Sequence, residues 1–485
     1  MNQSNLTVES IGKALRSALS KGIVRDEDTA LIFYDLTFLE KRIRYLSSCF
    51  PPDTLHSLAI KANPLLRIMA DVKKFALNTG VEAASVGELF LAFRSGYKPG
   101  QIVFDSPVKT KADLEFAIRK GIHLNIDNFS ELRRVNEFLT ANPPTLTGSG
   151  TLSGWGPSFG LRINPQIGLG SIVESSVAGE YSKFGIPINY NREALEHAYL
   201  SYPWLTGVHL HVGSQGCPLQ MLVDGIGILY DFVTKMNIQR LENGIPPITI
   251  FDIGGGLPVS YHRGSEAPLM EDYVAAIRER APGLFLTVNE LKIQKSKIKT
   301  TNQKSKLNDP DIRNSSNLQI FKSSNHLTPV SFKIITEFGR WAYTNAGWTV
   351  SRVEYVKRDP AINTAMLHVG ADLFVRECLN PTDWRHEYSV FDSTGRLKTG
   401  KDEHPYNLAG PLCFSGDIIA KGVSLPRIEE GDFLVIHDSG GYTFSMWSRY
   451  NSRQTPRITG YINEGEQFEI LKERESLEDL AGFWE

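Results

Sequence analysis

The sequence has few cysteines and almost no net charge. Its 485 residues include only four cysteines (Cys49, Cys217, Cys378 and Cys413), which lie far apart and form no Cys-x-x-Cys pair. This spacing argues against a disulfide framework and against a structural zinc site. The formal net charge of -2 gives no electrostatic reason to expect nucleic acid or an anionic membrane as a partner.

Long apolar runs and targeting patterns are also missing. No stretch approaches the roughly 20 apolar residues that a membrane-spanning helix needs. The opening run MNQSNLTVESIGKALRSALSKG has neither an apolar signal core nor an Arg-rich transit pattern. Hydrophobic residues make up 41% of the chain and charged residues 22%, values typical of a globular enzyme. We therefore expect a cytoplasmic enzyme, and the length predicts two domains.

Short apolar runs alternate with amphipathic stretches from about residue 30 to residue 260. Single helices between strands indicate βαβ units and a parallel sheet. Because the unit repeats without a sign that the sheet reverses, an α/β (β/α)8 barrel is favoured over an open Rossmann sheet. After about residue 350, strand-like runs are separated by turns, which predicts a smaller C-terminal β domain. The expected organisation is an N-terminal segment 1–30 packing on the β domain, a barrel 31–350 and a β domain 351–485.

Two segments interrupt the alternation. Residues 141–159 are rich in Gly, Pro, Ser and Thr, which predicts an extended loop. Residues 291–325 are basic, polar and aperiodic, so they lack the apolar groups needed to offset the entropy of ordering and are predicted to be disordered. A basic interaction loop and an unprocessed coding artefact are the alternatives for the second segment.

Lys61 follows a run of three apolar residues and precedes an Asn-Pro turn signal in LAIKANP. This pattern predicts an ammonium group at the end of a buried strand. Burial lowers the pKa of a lysine, which suits an amine that attacks a carbonyl. The alternative is a lysine whose head group simply reaches water.

Four features of the chain together meet the needs of one cofactor. A phosphate needs N–H donors from a glycine turn, which Gly254 to Gly256 offer, and an aromatic heterocycle needs a flat partner such as His211. A protonated pyridine nitrogen needs a carboxylate such as Glu337, and an aldehyde needs an amine such as Lys61. Pyridoxal phosphate requires all four, and each lies at or just past a predicted strand end, where barrel active sites lie.

Each feature also has a simpler explanation when taken alone. Three glycines more often form a turn than a phosphate site, and Cys413 could be a small core residue. His209 and His211 share one face of a predicted strand, as two metal ligands would. No further Cys, His or Asp lies nearby at ligand spacing, so we expect no metal.

Nine runs, in order, resemble the fold-type III pyridoxal-phosphate decarboxylases, the family of diaminopimelate, ornithine and arginine decarboxylases. They are AIKANP, EAASVGEL, LRINP, SKFGI, HLHVGSQ, FDIGGGLPVSY, TEFGRW, AGPLCFSGD and GGYTFSMWSRYNSR, and they span roughly residues 30–460. The SKFGI, HLHVGSQ and CFSGD runs look most like the diaminopimelate branch.

The resemblance implies a role for each matching residue. Lys61 would hold the cofactor as an internal aldimine, His211 would stack on its ring, and Glu337 would pair with its ring nitrogen. Glu82 and Arg162 would form a supporting pair near the lysine. The implied phosphate-binding residues are Ser214, Gly254, Gly255, Gly256, Arg340 and Tyr442.

The resemblance also implies a homodimer with shared active sites that acts on a small amino acid. Cys413 and Asp417 would cross the dimer interface to complete the partner's site. Cys413 is then the candidate general acid that returns a proton to the α-carbon after loss of the carboxylate.

The match weakens in the part that would meet the far end of the substrate. The diaminopimelate branch has a glutamate after the cysteine, which receives the distal ammonium, whereas this chain has Phe414. Arg376 of the Arg-Pro-x-x-Tyr run is kept, but Asn380 replaces its tyrosine, and Phe338 replaces a proline before the Gly-Arg pair. We therefore predict intact catalytic residues with an altered distal pocket.

Two other functions stay open at this point. An amino-acid racemase uses the same type of barrel, although the CFSGD and GGYT runs match the decarboxylase β domain. A pyridoxal-phosphate-binding regulatory homologue without activity is the second alternative, against which Lys61, Glu337 and Cys413 count.

Overall fold

The computed structural model describes residues 5–142, 156–286, 330–400 and 402–485. The predicted disordered segment 291–325 lies outside the described residues. Of the predicted loop 141–159, only its two ends are described.

The described elements up to the end of the barrel follow the predicted alternation of strands and helices. In chain order they are α1 (Val8–Ser20), β1 (Ala30–Asp35), α2 (Leu36–Cys49), β2 (Leu55–Ala59), α3 (Leu66–Phe75), β3 (Thr79–Ala83), α4 (Val86–Arg94), β4 (Ile102–Asp105), α5 (Lys111–Lys120), β5 (His123–Ile126), α6 (Phe129–Ala141), β6 (Ser158–Asn164), β7 (Ile186–Pro187), α7 (Ile188–Ser201), β8 (Leu205–His209), α8 (Leu219–Glu242), β9 (Ile250–Asp252), α9 (Met270–Arg280), β10 (Lys333–Thr336) and α10 (Arg340–Tyr343).

The remaining described elements are mostly strands. They are β11 (Gly347–Arg358), β12 (Asn363–Leu367), α11 (Val375–Leu379), β13 (Tyr388–Phe391), β14 (Glu403–Ala409), β15 (Ile418–Pro426), β16 (Phe433–Ile436), β17 (Arg457–Ile462), β18 (Gln467–Lys472) and α12 (Leu477–Trp484).

Local sequence signals explain where several barrel helices begin and end. The Thr110 hydroxyl and the Asp113 carboxylate each accept a hydrogen bond from the other's backbone N–H, which caps the start of α5. That helix ends at Gly121, whose φ of 76° lies in the left-handed region that glycine adopts without strain. Asp35 and Asn128 cap α2 and α6 in the same way, through a side-chain oxygen that accepts a backbone N–H.

Eight parallel strands close into a barrel, in the order β2-β3-β4-β5-β6-β8-β9-β10, with β10 pairing again with β2. This confirms the predicted barrel. Residues such as Val81, Phe104 and Leu161 lie in the buried core. The polar residues that follow them are therefore turned to the barrel interior, because successive strand residues point to opposite faces.

The second sheet runs in the order β15-β14-β12-β11-β1-β17-β18, and β16 joins it by pairing with β11 and β13. It confirms a separate, mostly β domain after the barrel. Helix α1 packs on this sheet, with Ile11 and Leu15 in one buried cluster with Phe33 and Trp348. The rings of Phe33 and Trp348 are stacked with centroids 4.4 Å apart.

Strand β1 was expected to begin the barrel, but it lies in the second sheet. It is antiparallel to β11, with Leu31 opposite Val350, and parallel to β17, with Leu31 opposite Arg457. An apolar strand followed by a helix has the same pattern in either sheet, so the sequence alone did not separate them. We propose to assign residues 5–35 to the β domain.

Every helix in the described ranges is too short or too polar to cross a lipid bilayer.

Candidate active site

Lys61 lies just after β2, in a short helical turn over Ile60–Ala62. Its Nζ donates to Glu82 Oε1 at 2.8 Å and Oε2 at 2.6 Å. Glu82 is on the neighbouring strand β3, directly opposite Ala59. The Glu82 carboxylate is fully buried whereas 43% of the Lys61 side chain is exposed, so the amine stands at the opening of the barrel.

The expectation that burial lowers the pKa of Lys61 is wrong. Burial acts in that direction, but the negative charge of Glu82, with a smaller contribution from Glu337, raises the pKa above its ordinary value. Burial, with the nearby carboxylates of Glu337 and Asp105, raises the pKa of Glu82, while the charge of Lys61 acts against them. Lys61 is therefore held by Glu82, which the family resemblance had placed near the lysine without naming this contact.

Glu82 lies beside the lysine as expected, but Arg162 pairs with a different carboxylate. Arg162 Nη1 donates to Asp105 Oδ2 at 2.6 Å, and both side chains are buried. Arg162 projects from β6 and Asp105 from β4, so the guanidinium reaches across the barrel interior to a carboxylate that the motifs did not include.

His209 lies between two carboxylates inside the barrel. Its Nε2 is 3.3 Å from Glu337 Oε2 and its Nδ1 is 3.7 Å from Asp105 Oδ1. Burial alone would lower the pKa of His209, but Glu337 and Asp105 raise it to about 9. Burial would conversely raise the pKa of Glu337, and His209 reverses this and lowers it.

His211 has a different partner and a different charge. Its Nδ1 accepts a hydrogen bond from the Gly255 N–H at 3.1 Å. Burial, with the positive charge of Arg162, lowers the pKa of His211 to about 3, so the ring is neutral at ordinary pH. A Cβ on Gly254 would lie 2.9 Å from His211 Nδ1 and a Cβ on Gly255 2.4 Å from the Glu337 carbonyl oxygen. The glycines thus allow the backbone to lie against the His211 ring and the Glu337 main chain.

A cluster of hydroxyls, aromatic rings and guanidiniums lies beside the glycines. Arg340 Nε donates to Ser214 Oγ at 2.9 Å, and its Nη1 donates to the Tyr261 hydroxyl at 2.5 Å. Arg340 and Arg376 both lie against the ring faces of Tyr442 and Trp384, at 4.6 to 4.9 Å from the ring centroids. Within the described ranges neither guanidinium has a carboxylate partner, which leaves two positive charges for an anionic ligand.

A cavity of about 590 Å³ opens beside Lys61. Arg376 and Tyr442 reach it from the β domain, so both domains form its walls. The lining residues are Lys61, Pro64, Ser85, Gly87, Glu88, Leu91, Arg376, Tyr442, Ser445 and Met446.

Cys413 and Phe414 are not among the described residues that line this cavity. Cys413 is exposed, and its backbone N–H donates to Asn451 Oδ1 at 2.7 Å. Phe414 is 41% exposed and meets the exposed Tyr450 edge to face, with ring centroids 6.0 Å apart. The chain therefore presents a thiol and two aromatic rings on its surface, away from its own lysine.

Asp417 and Asn380 are engaged in holding loops in place. Asp417 is buried, and its two oxygens accept the N–H groups of Ala371 and Leu412 at 2.6 Å. Asn380 donates to Asp383 Oδ2 at 2.9 Å, within its own turn. These contacts give both residues a structural function that the motifs did not indicate.

The comparisons with known proteins agree with this geometry. Residues 36–295 match the family model described as pyridoxal-dependent decarboxylase, pyridoxal binding domain. The chain belongs to the pyridoxal-dependent decarboxylases. It is 26% identical to the diaminopimelate decarboxylase of Archaeoglobus fulgidus over 94% of this chain and 93% of the relative. It is 28% identical to that of Pseudomonas aeruginosa, over 93% and 92% respectively.

Solved structures show the same fold. The diaminopimelate decarboxylase of Helicobacter pylori, solved in complex with L-lysine, aligns with a TM-score of 0.73 and 24% identity over 96% of this chain and 99% of that one. The lysine/ornithine decarboxylase of Vibrio vulnificus, complexed with putrescine, aligns with a TM-score of 0.65 and 19% identity over 95% and 99%.

Pyridoxal phosphate is the cofactor of these decarboxylases, and the described residues fit it. Glu337 Oε1 is buried and has no hydrogen-bond partner among the described residues, which leaves an anionic oxygen for a protonated ring nitrogen. Arg340 bonds to two hydroxyls and no carboxylate in the described ranges, as a phosphate ligand does. Neutral His211 supplies a flat ring beside the glycines.

Sequence reasoning missed several members of this decarboxylase site. Asp105 ends an apolar strand, and this position at a strand end could have indicated a site residue. Tyr261 and Trp384 lie outside the family runs or at their ends, and only the tertiary fold brings them to Arg340. The sequence pattern indicates His209 only as a metal ligand, because the carboxylates that lie at ion-pair distance from it, Asp105 and Glu337, are more than 100 residues away along the chain.

Proposed function

We propose that this enzyme decarboxylates an amino acid whose far end is apolar or acylated and carries no free ammonium group. The observation that carries the proposal is Phe414, an exposed aromatic ring braced by Tyr450 at the position where the diaminopimelate branch is expected to have a glutamate. Decarboxylation itself follows from the family. The proposal concerns the substrate and the residues that act on it.

Lys61 is the amine to which the cofactor's aldehyde would be attached. Its contact with Glu82 keeps it at the opening of the barrel, and Glu82 is positioned to take its proton when the amine must be neutral. When bound, the cofactor withdraws electrons from the bond that loses the carboxylate. Glu337 would supply the negative charge that keeps the ring nitrogen protonated, and neutral His211 would pack on the ring.

The phosphate would be held by groups that already meet in the structure. Arg340 and Ser214 are hydrogen-bonded to each other, and Tyr442 packs on the Arg340 guanidinium. Gly254, Gly255 and Gly256 let the backbone approach without a side chain in the way. These contacts hold the donors in place before the ligand arrives, which lowers the cost of ordering them on binding.

We also propose that a second copy of the chain completes the site. Cys413 and Phe414 are exposed and lie outside the cavity that holds Lys61, so within one chain they cannot reach the substrate. In a homodimer, the Cys413 thiol of one copy would return a proton to the α-carbon in the other copy's cavity. Phe414 would enter with it and meet the far end of the substrate.

The chemistry of residue 414 decides which far end is accepted. L-Lysine, with which the Helicobacter pylori enzyme was crystallised, carries a distal ammonium group. Burying an ammonium against a phenyl ring without a carboxylate leaves its charge unpaired, which costs several kcal/mol in an interior site. An amide or apolar end avoids this cost. Arg376, which lines the cavity and has no carboxylate partner in the described ranges, would bind an anionic group on the substrate.

Phe414→Glu is expected to raise kcat/KM for meso-diaminopimelate by about tenfold or more, because it restores a partner for the distal ammonium. Carbon dioxide release from a panel of amino acids, with and without acylated side-chain amines, measures this for both forms. Phe414→Gln is the matched control, since it removes the ring without adding charge. Turnover of meso-diaminopimelate by the unmodified enzyme at the rate of its best substrate would overturn the proposal, as would an equal gain in the glutamine variant.

A further inference from the structure

The interior of the barrel carries an unusual concentration of charge around His209. Four carboxylates are buried there: Glu82, Asp105, Asp252 and Glu337. The described side chains that pair directly with them and bring a fixed positive charge are Lys61, on Glu82, and Arg162, on Asp105, and the buried Lys109 adds a positive charge that acts on Asp105. Glu337 has neither as a direct partner at ion-pair distance. Its neighbour is His209 at 3.3 Å.

His209 is the third of four charged or titratable side chains that lie in a row. Arg162 lies 2.6 Å from Asp105, Asp105 lies 3.7 Å from His209, and His209 lies 3.3 Å from Glu337. When His209 is protonated, positive and negative charges alternate along the whole row. With His209 neutral, Glu337 would be a buried carboxylate without a positive partner at ion-pair distance among the described residues.

We propose that His209 is a positioning residue: its charged ring, lying between Asp105 and Glu337, would keep Glu337 ionised and leave the free carboxylate oxygen available to the cofactor's ring nitrogen. This inference rests on the role proposed above for Glu337. His209 is the first histidine of the HLHVGSQ run. Neither the motif nor the requirements of the cofactor assigned a role to it.

The free oxygen of Glu337 supports this geometry. Oε2 faces His209, while Oε1 is buried and has no partner among the described residues. The Glu337 backbone is fixed as well, since its N–H donates to the Gly254 carbonyl at 2.7 Å. One carboxylate oxygen thus lies at ion-pair distance from His209, and the other is left for a ligand.

The other titratable groups that face His209 do not replace it. Asp252 on β9 is opposite His209 and accepts hydrogen bonds from Asn125 and the Gly254 N–H. Burial raises the pKa of Asp252 well above its ordinary value. His123 on β5 bonds to Asn125 and Ser158, and burial lowers its pKa to about 4, so it brings no charge. Lys61 and Glu82 neutralise each other at the opening of the barrel.

The first test measures the charge of His209 in the protein without cofactor, by histidine-ring NMR across pH 6 to 10. We expect a ring that stays charged well above pH 7 and loses its proton at lower pH in Glu337→Gln. His386 is an internal reference: burial lowers its pKa, but Glu377 outweighs this and raises it, and Glu337→Gln leaves that pair intact. If no histidine ring responds to Glu337→Gln, or if the ring that responds is already neutral at pH 8 in the unmodified protein, the proposal fails, whatever the substrate is.

The second test uses His209→Gln, which keeps an N–H donor but has no charge. We expect the affinity for pyridoxal phosphate to fall by about 10- to 100-fold, the usual cost of losing a partner that orients a ligand-binding group. The acidic limb of the pH–rate profile should move to higher pH, because Glu337 without the imidazolium takes up a proton more easily.

His56→Gln is the matched control. His56 is a buried histidine on β2 whose Nδ1 lies 2.9 Å from Thr336 Oγ1, next to Glu337, and burial lowers its pKa to about 3. Its replacement removes a ring of the same size without removing a charge. Equal shifts of the acidic limb in both variants, or no shift in either, would show that His209 only fills space.

Discussion

Lys61→Ala is expected to abolish the visible absorbance band of the pyridoxal-phosphate enzyme and to lower the rate of carbon dioxide release by at least about 10⁴-fold. Among the described residues that line the cavity, Lys61 is the one with a primary amine. No other side chain there can attach an aldehyde. An absorbance scan of the purified variant, followed by a decarboxylation assay with the best substrate of the panel, measures both effects.

The variant should still fold, so a loss of the band can be attributed to the missing amine and not to unfolding. Removing Lys61 leaves Glu82 without its counter-ion, but burial and Glu337 already raise the pKa of Glu82, and the loss of Lys61 raises it further. The carboxyl group can therefore take up a proton at neutral pH, which avoids an unpaired buried charge. Lys74→Ala is the control, because Lys74 is 65% exposed on α3 and pairs only with Asp71. A visible band in Lys61→Ala with the intensity of the unmodified enzyme would contradict the assignment.

The barrel and the identity of the cofactor could be predicted because each rests on a local pattern. Strands and helices alternate with a fixed period, and Lys61, His211 and Glu337 each follow an apolar run that ends at the barrel opening. Strand β1 has the same local pattern, yet it pairs with β11 and β17, whose residues lie more than 300 positions later. Which sheet a strand joins depends on those distant partners, and no local period contains that information.

The electrostatics of the site were hard to predict for a similar reason. A lysine at the end of a buried strand suggests a lowered pKa when only burial is considered. The sign reverses because Glu82 on the neighbouring strand approaches to 2.6 Å. Arg162 likewise reaches Asp105 rather than Glu82, and this choice depends on how the strands are arranged around the barrel. Spacing along the chain identifies the charged residues but not which of them meet.

Arg162→Met is expected to lower the free energy of unfolding at pH 7 by about 3–5 kcal/mol, because it leaves Asp105 as a buried charge without its main partner. In the unmodified protein, burial would raise the pKa of Asp105, but Arg162 and then His209 lower it below its ordinary value. This carboxylate therefore contributes stability that is present above the unfolded-state pKa and is lost as the pH falls through the folded-state pKa. In the variant the folded-state pKa rises above the unfolded-state value, so the sign of the contribution reverses.

The pH dependence of the loss separates charge from packing. Urea denaturation followed by circular dichroism should show a large difference between Arg162→Met and the unmodified protein at pH 7.5. The difference should shrink towards pH 5, where the variant's Asp105 takes up a proton.

Adding Asp105→Asn to Arg162→Met removes both charges and should recover part of the stability at pH 7.5. Arg162 also packs on the Phe184 ring at 4.5 Å, and that contact does not depend on pH. A loss of equal size at both pH values, unrelieved in the double variant, would therefore assign the effect to packing and contradict the charge pairing inferred for Asp105.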